Sequence, residues 1–312
     1  MRKILATLLA VLCTVGICAA QDLEKTTEIY NNAATTLNAG NTAEAIAMFE
    51  QALSGATALG EAGNDIAGQC KEILPKLYLS LGKDLAKDKN FDGAIEKFNK
   101  AAELAGQYGA ADVAAEAKEV SSQVLTAQAA TLIKEKNYPA VIDVCNKLIA
   151  ANPADGTAYL YLGMAMANTG KANEAVAAYQ KALENGEAEQ ASKQLSTIYL
   201  KKAAACQKAK DFKGCLENAQ QSAEYLDNAQ AQKLIGTSAS ALKQYKVAIS
   251  AFEAYLAMSP DAKDKAQIIY QLGDATMKAG DNAKACSYFK QIAQDAKFGE
   301  TARYYITTLK CN

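Results

Sequence analysis

One short pattern returns seven times along this chain, and a repeat of that kind leaves few folds open. Its anchor is a compact apolar residue at Ala45, Ala94, Val141, Ala175, Cys215, Ala248 and Ala285. Twelve positions before each anchor the residue is always small: Ala33, Gly82, Ala129, Gly163, Ala203, Gly236 and Gly273. Four after it stand Phe49, Phe98, Cys145, Tyr179, Ala219, Phe252 and Phe289, and seven after it Ala52, Ala101, Leu148, Ala182, Ser222, Tyr255 and Ile292. Offsets of four and seven mark one face of an α-helix. The small residue twelve before belongs to a preceding helix, so each unit reads as two antiparallel helices joined by a short turn. Two small residues facing each other let the pair approach closely, and the aromatic is expected to fill the gap to the next pair.

Composition agrees. Ala, Lys, Gln and Leu are abundant, there are only 4 Pro in 312 residues, and these residues favour helix over strand. The early units are spaced more widely than the later ones, so longer helices or inserted turns are expected there. Gly55, Gly60, Gly63 and Gly68 place a loop near 60–64, and 110–136 reads as one long helix. Pro75 should kink the helix expected over 65–87 or start a new one. After the seventh unit, 300–309 reads as a capping helix.

The best unit, AYLYLGMAMANTGKANEAVAAYQKALE from Ala158 to Glu184, resembles the tetratricopeptide repeat family. That family carries W-x2-L-G-x2-Y, then A-x3-F, then P, in about 34 residues. Here Tyr159, Leu162, Gly163, Ala175 and Tyr179 fit it, as do Tyr78, Leu81, Gly82, Ala94 and Phe98, and Ile269, Leu272, Gly273, Ala285 and Phe289. The third and fifth units fit less well, with Gln128, Lys202 and Ala219 where larger apolar residues are usual. The resemblance implies an all-α fold, a right-handed α-solenoid of about seven helix-turn-helix repeats over 21–312, closed by the C-terminal capping helix.

Residues 1–20 read differently. Arg2 and Lys3 precede an uncharged apolar run ending in Cys18-Ala19-Ala20, the layout of a secretory signal peptide. Cleavage is expected after Ala20, giving a mature chain from Gln21 with no membrane span. The expected compartment is the bacterial periplasm, or the medium.

Several function classes lose support. The chain has no His, which removes Ser-His-Asp and Cys-His pairs and the commonest zinc ligand. There is no phosphate-binding glycine loop or metal-ligand cluster, so no enzyme, cofactor or metal is expected. With 33 basic and 34 acidic residues, there is no electrostatic footprint for nucleic acid. Six Cys remain past the leader, an even number in an oxidising compartment. Cys206 with Cys215, and Cys286 with Cys311, are the candidate disulfides; two small buried thiols is the other reading of the first pair.

In the resembled family the first helix of each unit lines a concave groove that takes peptides or proteins. The corresponding slots lie 18, 15, 11 and 8 residues before each anchor. They make Tyr30, Leu79, Lys83, Leu160, Met164, Leu200, Tyr270 and Met277 the candidate partner-binding residues, facing inward rather than between helices. Some members clamp C-terminal carboxylates with paired Lys and Asn here. This chain has Ala34, Lys83, Ala130, Met164, Ala204, Thr237 and Asp274 at the Asn slots, so that clamp is absent. The function implied is a non-enzymatic scaffold of the cell envelope holding a protein or peptide. The alternative is a structural, self-assembling envelope component.

Overall fold

The computed structural model describes the backbone of residues 2–311 and the side chains of 20–311. Every regular element among them is a helix. Seven pairs follow in chain order: α1 (Arg2–Asn38) with α2 (Thr42–Ala58), α3 (Asn64–Lys87) with α4 (Phe91–Tyr108), and α5 (Ala111–Lys134) with α6 (Tyr138–Ala151). Then come α7 (Gly156–Asn168) with α8 (Ala172–Glu184), α9 (Ala188–Lys208) with α10 (Phe212–Tyr225), α11 (Ala229–Ala241) with α12 (Tyr245–Met258), and α13 (Lys265–Lys278) with α14 (Asn282–Gln291). A single helix, α15 (Gly299–Thr308), follows the last pair. The chain divides into two compact units, Met1–Pro153 and Ala154–Asn312. The expected leader, residues 1–20, lies outside the described side chains except for Ala20. No helix among the described residues is long and apolar enough to cross a membrane.

Within each unit, successive helices pack on one another in chain order. The extra residues of the early repeats go into length: α3 and α5 have 24 residues each, against 13 for α7. A 3-10 turn at Gly60–Gly63 joins α2 to α3. Pro75 lies inside α3, which continues through it as one helix.

The anchors are the most buried positions of the fold. All seven are 0% exposed, and the small residues twelve before them are buried as well. The aromatics four after the anchor share clusters with the next pair's first helix, as expected (Phe98 with Val113 and Ala117, Tyr179 with Ala191 and Leu195), and also lie on the small residue of their own pair. A Cβ built on Gly82 would come within 2.6 Å of Phe98, on Gly163 within 2.7 Å of Tyr179, on Gly236 within 2.5 Å of Phe252, and on Gly273 within 2.7 Å of Phe289. Each glycine is a notch that receives a ring. Where the notch holds Ala instead, at Ala129 and Ala203, the facing residue shrinks to Cys145 and Ala219. The first repeat departs, holding Ala33 and Phe49 in one cluster. Burying each such ring contributes about 1.5–3 kcal/mol, so these pairs set both the spacing of the two helices and much of their stability.

The turns obey a rule of their own. Five residues before each anchor the backbone enters the left-handed region: Gly40, Lys89, Lys136, Gly170, Lys210, Lys243 and Gly280, with φ between 59° and 93°. The following amide then closes on the carbonyl five residues back, as Asp211 N–H donates to the Cys206 carbonyl at 2.9 Å and Lys171 N–H to that of Met166 at 2.9 Å. This is the Schellman ending, which satisfies carbonyls left open at a helix C-terminus. Glycine takes this conformation freely, whereas a lysine there costs roughly 1–2 kcal/mol. One residue later a side chain begins the next helix. Asn90, Asn137, Asp211 and Asp281 each accept a hydrogen bond from the backbone N–H three residues on.

Candidate binding surface

The first helix of each pair carries the slots at which a partner was expected. Those 11 residues before the anchor (Ala34, Lys83, Ala130, Met164, Ala204, Thr237, Asp274) are half-buried in all seven repeats. They are neither core nor fully solvated, and most are small, so the face they form is shallow.

The slots 15 before the anchor divide. In the first unit Tyr30 is half-buried and meets Phe49 edge-on, ring centres 5.3 Å apart. Leu79 is 6% exposed and Leu160, in the second unit, 3%. Both were expected on the open face; both are core. Leu79 shares a cluster with Val113 and Ala117 of α5, and Leu160 shares one with Ala191 and Leu195 of α9. Each is therefore covered by the next pair's first helix, and α5 and α9 are long, at 24 and 21 residues. Where α11 follows, only 13 residues long, Leu200 stays half-buried against the cluster of α9 to α13.

Lys83 reaches across to α5, its Nζ 2.6 Å from Glu116 Oε1. Met164 lies half-buried beside the α7–α9 cluster. In the sixth repeat the slot 15 before the anchor holds Lys233, which sequence reasoning left out of the site. Its ammonium donates to Asp264, which also accepts from Tyr255 Oη at 2.6 Å. These hydrogen bonds, that of Lys233 first, hold the Asp264 carboxyl below its ordinary range. The bond to Asp264, then burial, pushes Tyr255 up to about 12. The trio ties α11 and α12 to the loop before α13. The sequence signal was faint, because Lys233 and Asp264 are 31 residues apart.

At the C-terminal end Tyr270 and Met277 pack against the α13–α15 cluster. Tyr270 stacks on Phe298 at 5.4 Å, and Phe289 on Tyr305 at 4.9 Å. The segment after α14 thus screens Tyr270. It is also fixed covalently, since Cys286 of α14 and Cys311 form a disulfide with Cα atoms 5.5 Å apart. Cys206 and Cys215, the other candidate pair, are separate thiols. Cys215 is fully buried, and Cys206 packs against Gly214 and Asn218 of α10. Among the described residues no group of three or more Cys, Asp or Glu is placed to hold a metal ion.

Residues 144–191, from within α6 to the start of α9, match the family model of the tetratricopeptide repeat. Solved structures are similar at low identity. MamA from Desulfovibrio magneticus RS-1 is 17% identical, covering 56% of this chain and 97% of its own, with a TM-score of 0.33. YrrB, described as a TPR protein with an unusual peptide-binding site, is 17% identical over 58% of this chain and 91% of its own, TM-score 0.35. A thermophilic TPR protein in Thermus thermophilus is 15% identical over 61% and 98%, TM-score 0.28. At these scores the likenesses decide nothing about overall shape. No curated protein matches the chain. The matched segment spans one full helix pair, and the same buried register recurs in all seven pairs of the chain.

Proposed function

We propose that the chain is a non-enzymatic protein-interaction scaffold of the bacterial cell envelope that holds a protein or peptide on the inner faces of its first helices. One observation carries the reading. Anchor, notch and ring positions are buried in every repeat, while the slot 11 before the anchor is left half-open in every repeat. The framework satisfies its own packing without that slot. The half-buried binding residues are Tyr30 and Lys83 in the first unit and Met164, Leu200 and Met277 in the second; Leu79 and Leu160 support them from the core. The signal-peptide layout of residues 1–20 supports export, and the mature N-terminus is Gln21.

The test is retention of envelope proteins on the immobilised chain, compared with Met164→Asp on the inner face and Ala177→Asp on an exposed face of α8. Loss of a discrete client with the first and not the second upholds the proposal. Equal retention by all three refutes it, and retention of nothing but the chain itself points to a self-assembling component. Mass spectrometry of the exported protein checks the N-terminus, where an intact Met1 would contradict export by cleavage.

A further inference from the structure

The turns joining first to second helices lie along one edge of each unit, because every pair is antiparallel and the pairs follow one another in order. In repeats five to seven this edge carries Lys208, Lys210, Lys213, Lys243, Lys246, Lys278 and Lys284, all exposed. Three are spoken for: Lys213 faces Glu217 at 4.0 Å, Lys278 pairs with Asp274 at 2.8 Å, and Lys284 with Glu253 at 2.8 Å. The acids of these turns, Asp211 and Asp281, are turned onto the backbone N–H groups of the following helices. Lys208, Lys210, Lys243 and Lys246 have no ion pair among the described residues. Two of them, Lys210 and Lys243, occupy the left-handed turn position, where glycine would fold more easily.

The first unit shows the contrast. There Lys87 and Lys89 are surrounded by Asp84, Asp88 and Asp92, and Lys87 pairs with Asp84 at 2.8 Å. The third repeat adds exposed Lys134 and Lys136 to the first unit's edge, but three successive basic turns occur only in the second unit, in a chain of formal charge −1.

We propose that the turn edge of repeats five to seven is a docking surface for an acidic protein segment, separate from the inner face. The turns of repeats five to seven follow one another along this edge, so an acidic helix lying along it presents its carboxylates to one turn after another. An anionic bilayer suits the edge less well, because adsorption needs apolar side chains to insert, and Val247, 36% exposed, is the one exposed large apolar side chain among these turns.

The experiment titrates the full chain with a synthetic helical peptide bearing Glu pairs one heptad apart, and separately with phosphatidylglycerol vesicles. Peptide binding should weaken with salt and fall roughly tenfold or more in K208E/K210E/K243E/K246E. K210G/K243G should bind several-fold more weakly while melting at a higher temperature, which separates lost charge from lost fold. Met164→Asp should leave binding unchanged, so failure here and failure of the inner-face reading are distinguishable. Peptide binding unaffected by the lysine variants, or vesicles bound in preference to the peptide, overturns the proposal.

Discussion

Replacing Gly163 by Ala sets two effects against each other at one position. In the interior of α7, Ala is favoured over Gly by roughly 1 kcal/mol. Against this, the new Cβ would stand 2.7 Å from both Cδ1 and Cε1 of Tyr179, about 1 Å inside ordinary carbon–carbon contact. Tyr179 is 1% exposed and packed in a cluster with Leu160, Ala191 and Leu195, so its ring has no free direction in which to move. Overpacking of this kind costs about 1–3 kcal/mol, and steric cost wins by about 1 kcal/mol or more because the ring is hemmed in. Tyr179→Ala alone leaves a cavity and costs about 3–5 kcal/mol. In that background the sign at 163 reverses: the methyl now fills space and Gly163→Ala gains about 1 kcal/mol. The two changes should therefore couple by about 2 kcal/mol. The natural Ala203 and Ala219 already present this exchange in the fifth repeat. Urea unfolding followed by far-UV circular dichroism on the four proteins measures the cycle. Stabilisation by Gly163→Ala in the parent chain, or effects that add within about 0.5 kcal/mol, would refute the notch-and-ring argument.

Other consequences are as specific. Lys210→Gly and Lys243→Gly should each stabilise by roughly 0.5–1 kcal/mol, whereas Gly170→Ala, at φ 81°, should lose about 1 kcal/mol by the same argument; thermal melts report both. Asp264, with its carboxyl held low, binds its proton less readily folded than unfolded. Its contribution is whole above about pH 4 and fades as pH falls below that. The stability gap between the parent chain and Lys233→Met should therefore narrow below about pH 4, as acid titration by circular dichroism would show. Cys311→Ser opens a loop of 25 residues and should cost about 3 kcal/mol, seen as early loss of α15 protection in hydrogen exchange. Reductant should reproduce that loss in the parent chain and leave the variant unchanged.

The helix pairs were legible because the signal was periodic. Anchor, notch and ring residues recur at fixed offsets, and burial follows those offsets even in the third and fifth repeats, where Cys145 and Ala219 hide the aromatic pattern. The pairing of notch with ring within one unit was also in the sequence, since Gly accompanies an aromatic and Ala129 and Ala203 accompany small residues. It went unread because an offset along the chain does not say which neighbouring helices a ring meets, and each ring meets both its own pair and the next. The left-handed turn was overlooked for a similar reason, with Lys at four of its seven positions masking the glycine that usually marks it. The inner face was harder. Whether the slot 15 before the anchor is open depends on which residues of the following first helix reach it, a tertiary fact, and so Leu79 and Leu160 were placed on the wrong side. The aromatic screen over Tyr270 depends in turn on how the segment after α14 folds back.

Site-specific photocrosslinking in the native cell tests the central claim most directly. The crosslinking residue is placed in turn at Met164, Ala204 and Thr237 on first helices, and at the exposed Ala177, Gln220 and Ser250 on second helices of the same repeats. A discrete adduct with another protein from the first set and none from the second is the predicted result. Adducts confined to the second set, or equal from both, would contradict an inner-face binding surface.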